Sequence, residues 1–411
     1  MGAVPCRPMT ALLPLHGVTV LDLSRVLAGP YATQILGDLG ATVWKVEHPT
    51  RGDDTRAWGP IELEGESAYF LSVNRNKRSL AIDLKSDGGR EVVKRLAARA
   101  DVVFENFPPG KLEALGLGFD VLRAENPKLV MTSVTAFGRT GPLSSEPGYD
   151  LVVQGYGGVM ALTGPADGAP HRVGVPIVDL TTGMNAVIGT LAALRAAERD
   201  GVGQHVDVSL FDTHLAWLAN VGSNALISGQ PSPRLGNAHP NVAPYQPFPC
   251  ADGWILLAVG NDGQWDRLLQ LAPFAALRPD EDGDEAWATN NGRVSDRVRL
   301  AEALEAVLLT DTRDAWMQRL KAARVPCGPI LRPDEALAHP QTRAANMLAT
   351  MHHATAGTFQ AVASPYHLDR TPVTDYAAPP LLGVDTDAVL TEQLGLDSEA
   401  LAGLRAAGAI R

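Results

Sequence analysis

A chain of 411 residues exceeds what one hydrophobic core usually organises, so two domains are expected. Hydrophobic residues make up 45% and charged residues 20%, an ordinary globular balance, and a net charge of −11 argues against a nucleic-acid partner. The three cysteines, Cys6, Cys250 and Cys327, form no disulfide framework. Residues 1–14 lack a signal-peptide pattern, and no uninterrupted apolar run reaches the roughly eighteen residues of a membrane span, so a cytoplasmic setting without a membrane partner is expected.

Gly17–Leu23 reads as a buried strand, followed by the turn Ser24-Arg-Val-Leu-Ala-Gly-Pro30. A helix over Tyr31–Leu39, closed by Gly40, leads to a second strand over Ala41–Glu47. Strand, turn, helix and strand in this order make a βαβ unit and imply a parallel sheet. Neither Gly-x-Gly-x-x-Gly nor a P-loop follows the first strand. Beyond His48–Arg56 the chain is loop-like to Phe70. Further strands are expected at Ser79–Leu84, Asp101–Phe104, Lys128–Val134 and Gln204–Leu210. Helices are expected from Ser86 to near Ala98, from around Tyr149, and from Phe211 towards Leu226. The result is an α/β fold with a Rossmann-like, mostly parallel sheet covered on both faces.

Within Pro170–Asn185 an apolar run, Val173–Val178, ends in Asp179. Met184, Val187, Ile188, Leu191 and Leu194 then share one helix face. Asp179 thus stands where a strand or loop feeds a helix N-terminus, whose unpaired N–H groups and dipole favour an anion. An N-cap role alone would account for it.

Gly229-Gln-Pro-Ser-Pro233 marks a linker. The expected division is a large α/β domain over 1–227, a linker over 228–240 and a smaller α+β domain over 241–335. The smaller domain holds a hairpin over Tyr245–Val259, a helix opened by Asn261, and helices at Val294–Leu309 and Thr312–Ala323, with an acidic, irregular stretch at 275–291. Residues 336–411 read as a linker and C-terminal segment with little core of its own, packing back on the large domain or on a partner chain.

Arg25, Lys45, His48, Arg51, Arg56, Arg75, Lys77 and Arg78 fall in loops or at strand ends. Arg25 and His48 follow the first two strands directly, at the carboxyl edge where open α/β sheets bind ligands, and suit a polyanion. A solvated surface of scattered charge explains them equally. Asn106-Phe107 also follows a strand: an amide beside an aromatic brackets a planar base, or serves as a turn former beside a core residue. Gly260-Asn-Asp-Gly-Gln264 suits either a lid or a helix cap. The histidines lack metal-ligand spacing, so no metal is expected. Cys327, between Pro326 and Gly328, reads as buried and inert, and there is no Gly-x-Ser-x-Gly elbow.

Taken in order and spacing, Leu21–Pro30, Gly37–Glu47, Gly52–Arg56, Asn76–Ser79, Glu105–Phe107 with Pro109-Gly110, Val178-Asp179 with Gly183-Met184, and Gly260-Asn261 resemble the family III CoA-transferases. That family includes formyl-CoA transferase and α-methylacyl-CoA racemase, and the resemblance runs over residues 15–375. It implies an interlocked, ring-like homodimer acting on a small-molecule acyl-CoA and a carboxylic acid, with no nicotinamide or flavin. It implies Asp179 as a nucleophile that attacks the thioester and passes through a mixed anhydride and an aspartyl-CoA thioester.

The resemblance also carries over site residues. Val26 and Ala28 match the adenine and pantetheine path. His48 stands where the transferase has an arginine, and Lys77, Asn106 and Phe107 match contacts to the nucleotide end; Arg25, beside them, joins the cofactor set. Tyr149 matches a tyrosine near the reaction centre. Gly260, Asn261 and Gly263 match a glycine loop whose N–H groups suit a developing oxyanion. Leu27 replaces a glutamine near the acyl group of formyl-CoA transferase, which argues against formyl or oxalate specificity, and Ala114 replaces a basic residue that meets phosphate. Racemisation needs a histidine opposite the aspartate, whereas this chain has Gly148-Tyr149-Asp150, and a phenol is a poor base at neutral pH. A transferase is therefore expected, with a racemase or a non-catalytic CoA-binding protein as alternatives. The run Arg234–Tyr245 resembles members that use dicarboxylic acyl groups such as succinyl-CoA.

Overall fold

The computed structural model describes residues 12–278 and 287–411, which fall into two units. The first comprises Met1–Gly157, Gly174–Trp217 and Pro340–Arg411; the second comprises Gly158–Val173 and Leu218–His339. The first unit begins with the expected βαβ: β1 (Thr19–Asp22), α1 (Ala28–Asp38) and β2 (Thr42–Glu47). Then come β3 (Lys77–Ala81), α2 (Asp87–Ala97, capped by the Ser86 side chain), β4 (Val102–Glu105), β5 (Val130–Thr135), α3 (Asp150–Tyr156), α4 (Ile177–Asp200) and β6 (His205–Ser209).

The six strands form one parallel sheet in the order β3-β2-β1-β4-β5-β6. Two apolar clusters cover its faces. One joins Leu21, Trp44, Leu80 and Val103 to α2 and to Val389, Leu390, Leu401 and Ile410 of the C-terminal segment. The other joins Val20, Val43, Val102 and Val130 to α1 and α4. The C-terminal segment is therefore core of the first unit in its own chain, and Ile410 bridges to Ile82. Within that segment Leu348–His353 and Gly357–Val362 pair as a hairpin with a small cluster around Met351, more structure than its prolines suggested.

The apolar run Val173–Val178 is not a strand. Pro176 is the N-cap of α4, so helix begins at Ile177, and Val175 is exposed rather than buried in a sheet. By length and composition α4 could cross a membrane; here it packs on α1, β5 and β6. The helix expected from Phe211 towards Leu226 is split into Leu210–Trp217 and Ala219–Ser228, with Ala219 at φ 41°.

In the second unit, β7 (Tyr245–Cys250), β8 (Gly253–Ala258) and β9 (Cys327–Pro329) form an antiparallel sheet. Its core of Phe248, Ile255, Trp265, Phe274, Leu304 and Trp316 is shared with α5 (Asp262–Leu269), α6 (Arg297–Leu308) and α7 (Arg313–Ala322). Residues 279–286 of the stretch expected to be acidic and irregular lie outside the described residues.

Candidate active site

In this strand order the direction of winding reverses between β1 and β4, and a crevice opens beyond the carboxyl ends of strands at such a switch point. The turn after β1 and the segment after β4 meet there directly. Asn106 accepts from the Arg25 N–H through Oδ1 (2.8 Å) and donates to the Arg25 carbonyl through Nδ2 (2.7 Å), and the Arg25 guanidinium lies 5.7 Å from the centre of the Phe107 ring. Two cavities flank this bridge and share Arg25 and Phe107. One, of about 270 Å³, is lined by Val26, Leu27, Ala28, Tyr149 and Asp179 among others. The other, of about 140 Å³, is lined by His48, Arg51, Lys85 and Lys111. One thus holds a carboxylate on a helix, the other a basic cluster, and the Arg25–Asn106 bridge lies between.

Asp179 is the third residue of α4, not its cap. The capping carboxylate is Asp150: its Oδ2 accepts from the N–H groups of Val178 (2.8 Å) and Asp179 (3.2 Å), while Gln154 holds its other oxygen. Asp150 is buried, and Asp179 is mostly so. Burial, and secondarily the neighbouring Asp150 charge, push the Asp179 carboxyl up to about 7. The expectation of a carboxylate kept ionised at a helix start therefore needs correction: the helix N-terminus is already answered by Asp150, and Asp179 is poised near neutrality. Tyr69, which the sequence did not single out, is raised to about 12 by burial and by Asp179 and Asp150, so its phenol stays protonated in the same field.

Close packing fixes Asp179 against the β1 turn. A Cβ on Gly183, one helical turn beyond Asp179, would stand 2.7 Å from the Ala28 carbonyl oxygen, so only glycine lets α4 approach the start of α1 this closely. Leu27 and Ala28 are buried. Val26 has φ 70°, a left-handed conformation that strains a β-branched residue by about 1–3 kcal/mol. Its N–H is held by both carboxylate oxygens of Asp53, at 3.3 Å each.

The remaining expected contacts divide by exposure. Tyr149 is 66% exposed at the start of α3. His48 lies at the basic cavity, its Nδ1 accepting from the Thr50 N–H at 3.3 Å. Lys77 does not fit a direct contact with the nucleotide: its side chain is fully enclosed, and its ammonium donates to Asp22 (3.1 Å), the Pro30 carbonyl (2.9 Å) and Asn74 (3.0 Å). Burial lowers it to about 8, against the pull of Asp22. The cations that do line the basic cavity include Arg51, Lys85 and Lys111; the last two are not singled out by the sequence, although Lys85 directly follows the strand expected at Ser79–Leu84, whereas Lys111 lies several residues beyond a strand. Gly260, Asn261 and Gly263 lie in the second unit, where Asn261 caps α5 by accepting from the Gln264 N–H, and the Gly260 N–H donates to the Gln264 side chain.

A doubly wound sheet of this order, with a largely buried carboxylate at its switch point and a basic cavity beside it, defines an α/β ligand-binding protein whose site suits an anionic ligand. The profile of CoA-transferase family III matches residues 15–386, and the chain belongs to that family. It is 43% identical to succinate–glutarate CoA-transferase of Agrobacterium fabrum, over 92% of this chain and 95% of that one. It is 38% identical to the human succinyl-CoA:glutarate CoA-transferase, over 99% and 92% of the two chains. The crystal structure of a CAIB/BAIF family protein from Brucella suis superposes with a TM-score of 0.80 at 41% identity, covering 93% of this chain and all of that one. Membership supports a CoA-transferase that takes acyl-CoA as substrate.

Proposed function

We infer that this protein moves CoA from succinyl-CoA to a second carboxylic acid, a five-carbon dicarboxylate being the first choice, with Asp179 as the covalent nucleophile. The observation that carries the reading is a carboxylate near its titration point, lining the switch-point cavity of a CoA-transferase fold. An ionised Asp179 oxygen attacks the thioester carbonyl, and the C–S bond breaks to leave CoA thiolate and an aspartyl–acyl anhydride. The thiolate attacks the aspartyl carbonyl, forming the aspartyl-CoA thioester and releasing the donor acid. The acceptor carboxylate attacks this thioester, expelling thiolate again, which then takes the acceptor's acyl carbon and returns Asp179 as a carboxylate. No net proton is consumed. Arg25, His48, Arg51, Lys85 and Lys111 suit the phosphorylated end of CoA, with Val26, Ala28, Asn106 and Phe107 along the path to Asp179 and Leu27 and Tyr149 beside it. Succinyl and glutaryl groups come from the names of the relatives. Racemisation lacks support, since among the described residues no histidine lines the Asp179 cavity.

Incubation with succinyl-CoA without acceptor, followed by hydroxylamine, should convert Asp179 to a hydroxamate found by peptide mass. Absence of any adduct, with a donor that demonstrably turns over, would rule out the covalent route.

The functional form is proposed to be the interlocked homodimer. Leu151, Val152 and Tyr156 on α3, Met184 and Ile188 on α4, and Val362 in the C-terminal hairpin are exposed in the single chain, an apolar surface that a second copy would cover. Thermal unfolding should lose secondary structure and the dimer together; sedimentation at low concentration that finds a folded, active monomer would overturn it.

A further inference from the structure

The turn Ser24–Val26 is tied at nearly every backbone polar group by a side chain from another part of the sheet edge. Asp22 accepts from the Ser24 N–H (2.9 Å) and hydroxyl, and the Lys45 ammonium donates to the Ser24 carbonyl (3.0 Å). Asn106 holds both polar groups of the Arg25 backbone, and Asp53 takes the Val26 N–H. Asp53 is itself fixed from the other side. It is 1% exposed, pairs with the fully enclosed Lys45 at 2.9 Å, and accepts from the Thr55 N–H (3.0 Å) and hydroxyl (2.8 Å). Such over-determination is what a strained residue requires to persist, and Val26 is a β-branched residue at φ 70°. A direct consequence is the direction in which the chain leaves the turn. Val26, Leu27 and Ala28 line the same cavity as Asp179, and Ala28 is the backbone against which the Asp179 helix abuts at Gly183.

We propose that Asp53, held by Lys45, is a positioning residue for the Asp179 reaction: it maintains the left-handed turn at Val26 that sets the cavity wall opposite the reacting carboxylate. Asp53 and Lys45 are among the residues that line the smaller cavity, but both side chains are fully enclosed and committed to each other and to the turn. The inference rests on the reading of Asp179 as the reaction centre. Asn106 holds the turn from the opposite side and acts with Asp53.

The test is a cycle between Asp53→Asn and Val26→Gly, read by steady-state exchange and by calorimetric titration with CoA. Titration stoichiometry gives the fraction of competent sites. Asp53→Asn keeps the side-chain shape but removes the charge facing Lys45. Per competent site it should lose about 10²-fold in kcat/KM, the scale of a misplacement of about 1 Å, and bind CoA more weakly. Glycine adopts φ 70° without support, so Val26→Gly in the Asp53→Asn background should recover tenfold or more of that loss. Asn106→Ala leaves the Lys45–Asp53 pair intact but also removes a residue of the CoA path, so its loss should be partly recovered by Val26→Gly, which a lost ligand contact would not be; this keeps the test open if Asp53→Asn folds poorly. Wild-type kcat, KM and CoA affinity per competent site in both Asp53→Asn and Asn106→Ala would reduce the cluster to a fold-stabilising one and overturn the proposal. So would a failure of Val26→Gly to rescue. Failure of the Asp179 reading looks different: Asp179→Asn would turn over normally, whereas the coupling between Asp53 and Val26 would still be measured in CoA affinity.

Discussion

Asp179→Asn is expected to lose about 10⁴-fold or more in exchange rate while gaining stability above neutral pH. Asparagine has no carboxylate oxygen to attack a thioester and forms neither anhydride nor thioester. It does nothing to the helix start, where Asp150 is the cap, so the fold and the CoA path stay in place. The stability gain follows from linkage. Asp179 titrates near 7 when folded and at 3.8 in its reference state, so between those values the folded protein holds a proton that the unfolded chain has released. Wild-type stability therefore falls as pH rises through that window, and the deficit is complete above pH 7. Removing the charge relieves that deficit at pH 8, by about 1–2 kcal/mol after allowing for relaxation around the site, and a few degrees in Tm. The two melting curves should converge towards pH 4. Near-wild-type turnover in Asp179→Asn shown by mass to be free of deamidated protein would remove Asp179 from the mechanism. An unchanged Tm difference from pH 4 to pH 8 would remove the argument that its charge is costly.

The combination of a costly carboxylate at Asp179 and a separately provided cap shows where sequence reading stops. Periodicity and turn residues were enough for β1–α1–β2, for the parallel sheet and for the hairpin of the second unit, because each is a local pattern. The apolar run and helix pattern picked out Asp179 as a carboxylate at a helix start, for which an N-cap role sufficed, and the nucleophile role came only from the resemblance. Its real setting could not be read there: the residue that answers the helix N–H groups is Asp150, 29 positions earlier, brought there by α3. Of the strand or loop that the sequence allowed before Asp179 the structure has the loop, because Pro176 stands as the N-cap and the helix opens at once. Lys77 shows the converse. The sequence placed it among the cations of loops and strand ends, yet β3 lies beside β2 and carries the side chain inward to Asp22. Burial of a cation depends on which strand is adjacent, and strand order is a tertiary fact. The charges beneath the switch point, Asp22 with Lys77 and Asp53 with Lys45, are each paired. Lys45 of the smaller cavity is thus committed to Asp53 and Arg25 is paired with Asp54, and the cations of that cavity that suit an anionic ligand are Arg51, Lys85 and Lys111.

The donor half-reaction should report Asp179 directly through its pH dependence. Single-turnover release of succinate from succinyl-CoA, with no acceptor acid present, should be constant above about pH 7 and fall tenfold per unit below it, reaching about 10²-fold at pH 5. The sign is set by the reacting form: attack needs the carboxylate, and the folded protein favours the neutral acid below 7. Burial is the larger cause of that shift and Asp150 the smaller. Asp150→Asn keeps an oxygen to accept from the helix N-terminus but removes the like charge, so the midpoint should move down and yet stay above the ordinary carboxylate range. The plateau rate should also drop, because one amide oxygen replaces a carboxylate in holding Val178 and Asp179. Between pH 5 and 6 the variant should therefore retain a larger share of its own plateau than wild type does. Coincident midpoints in the two proteins would show that Asp150 does not tune Asp179, and a flat wild-type profile from pH 5 to 8 would show that no group near 7 limits the chemistry.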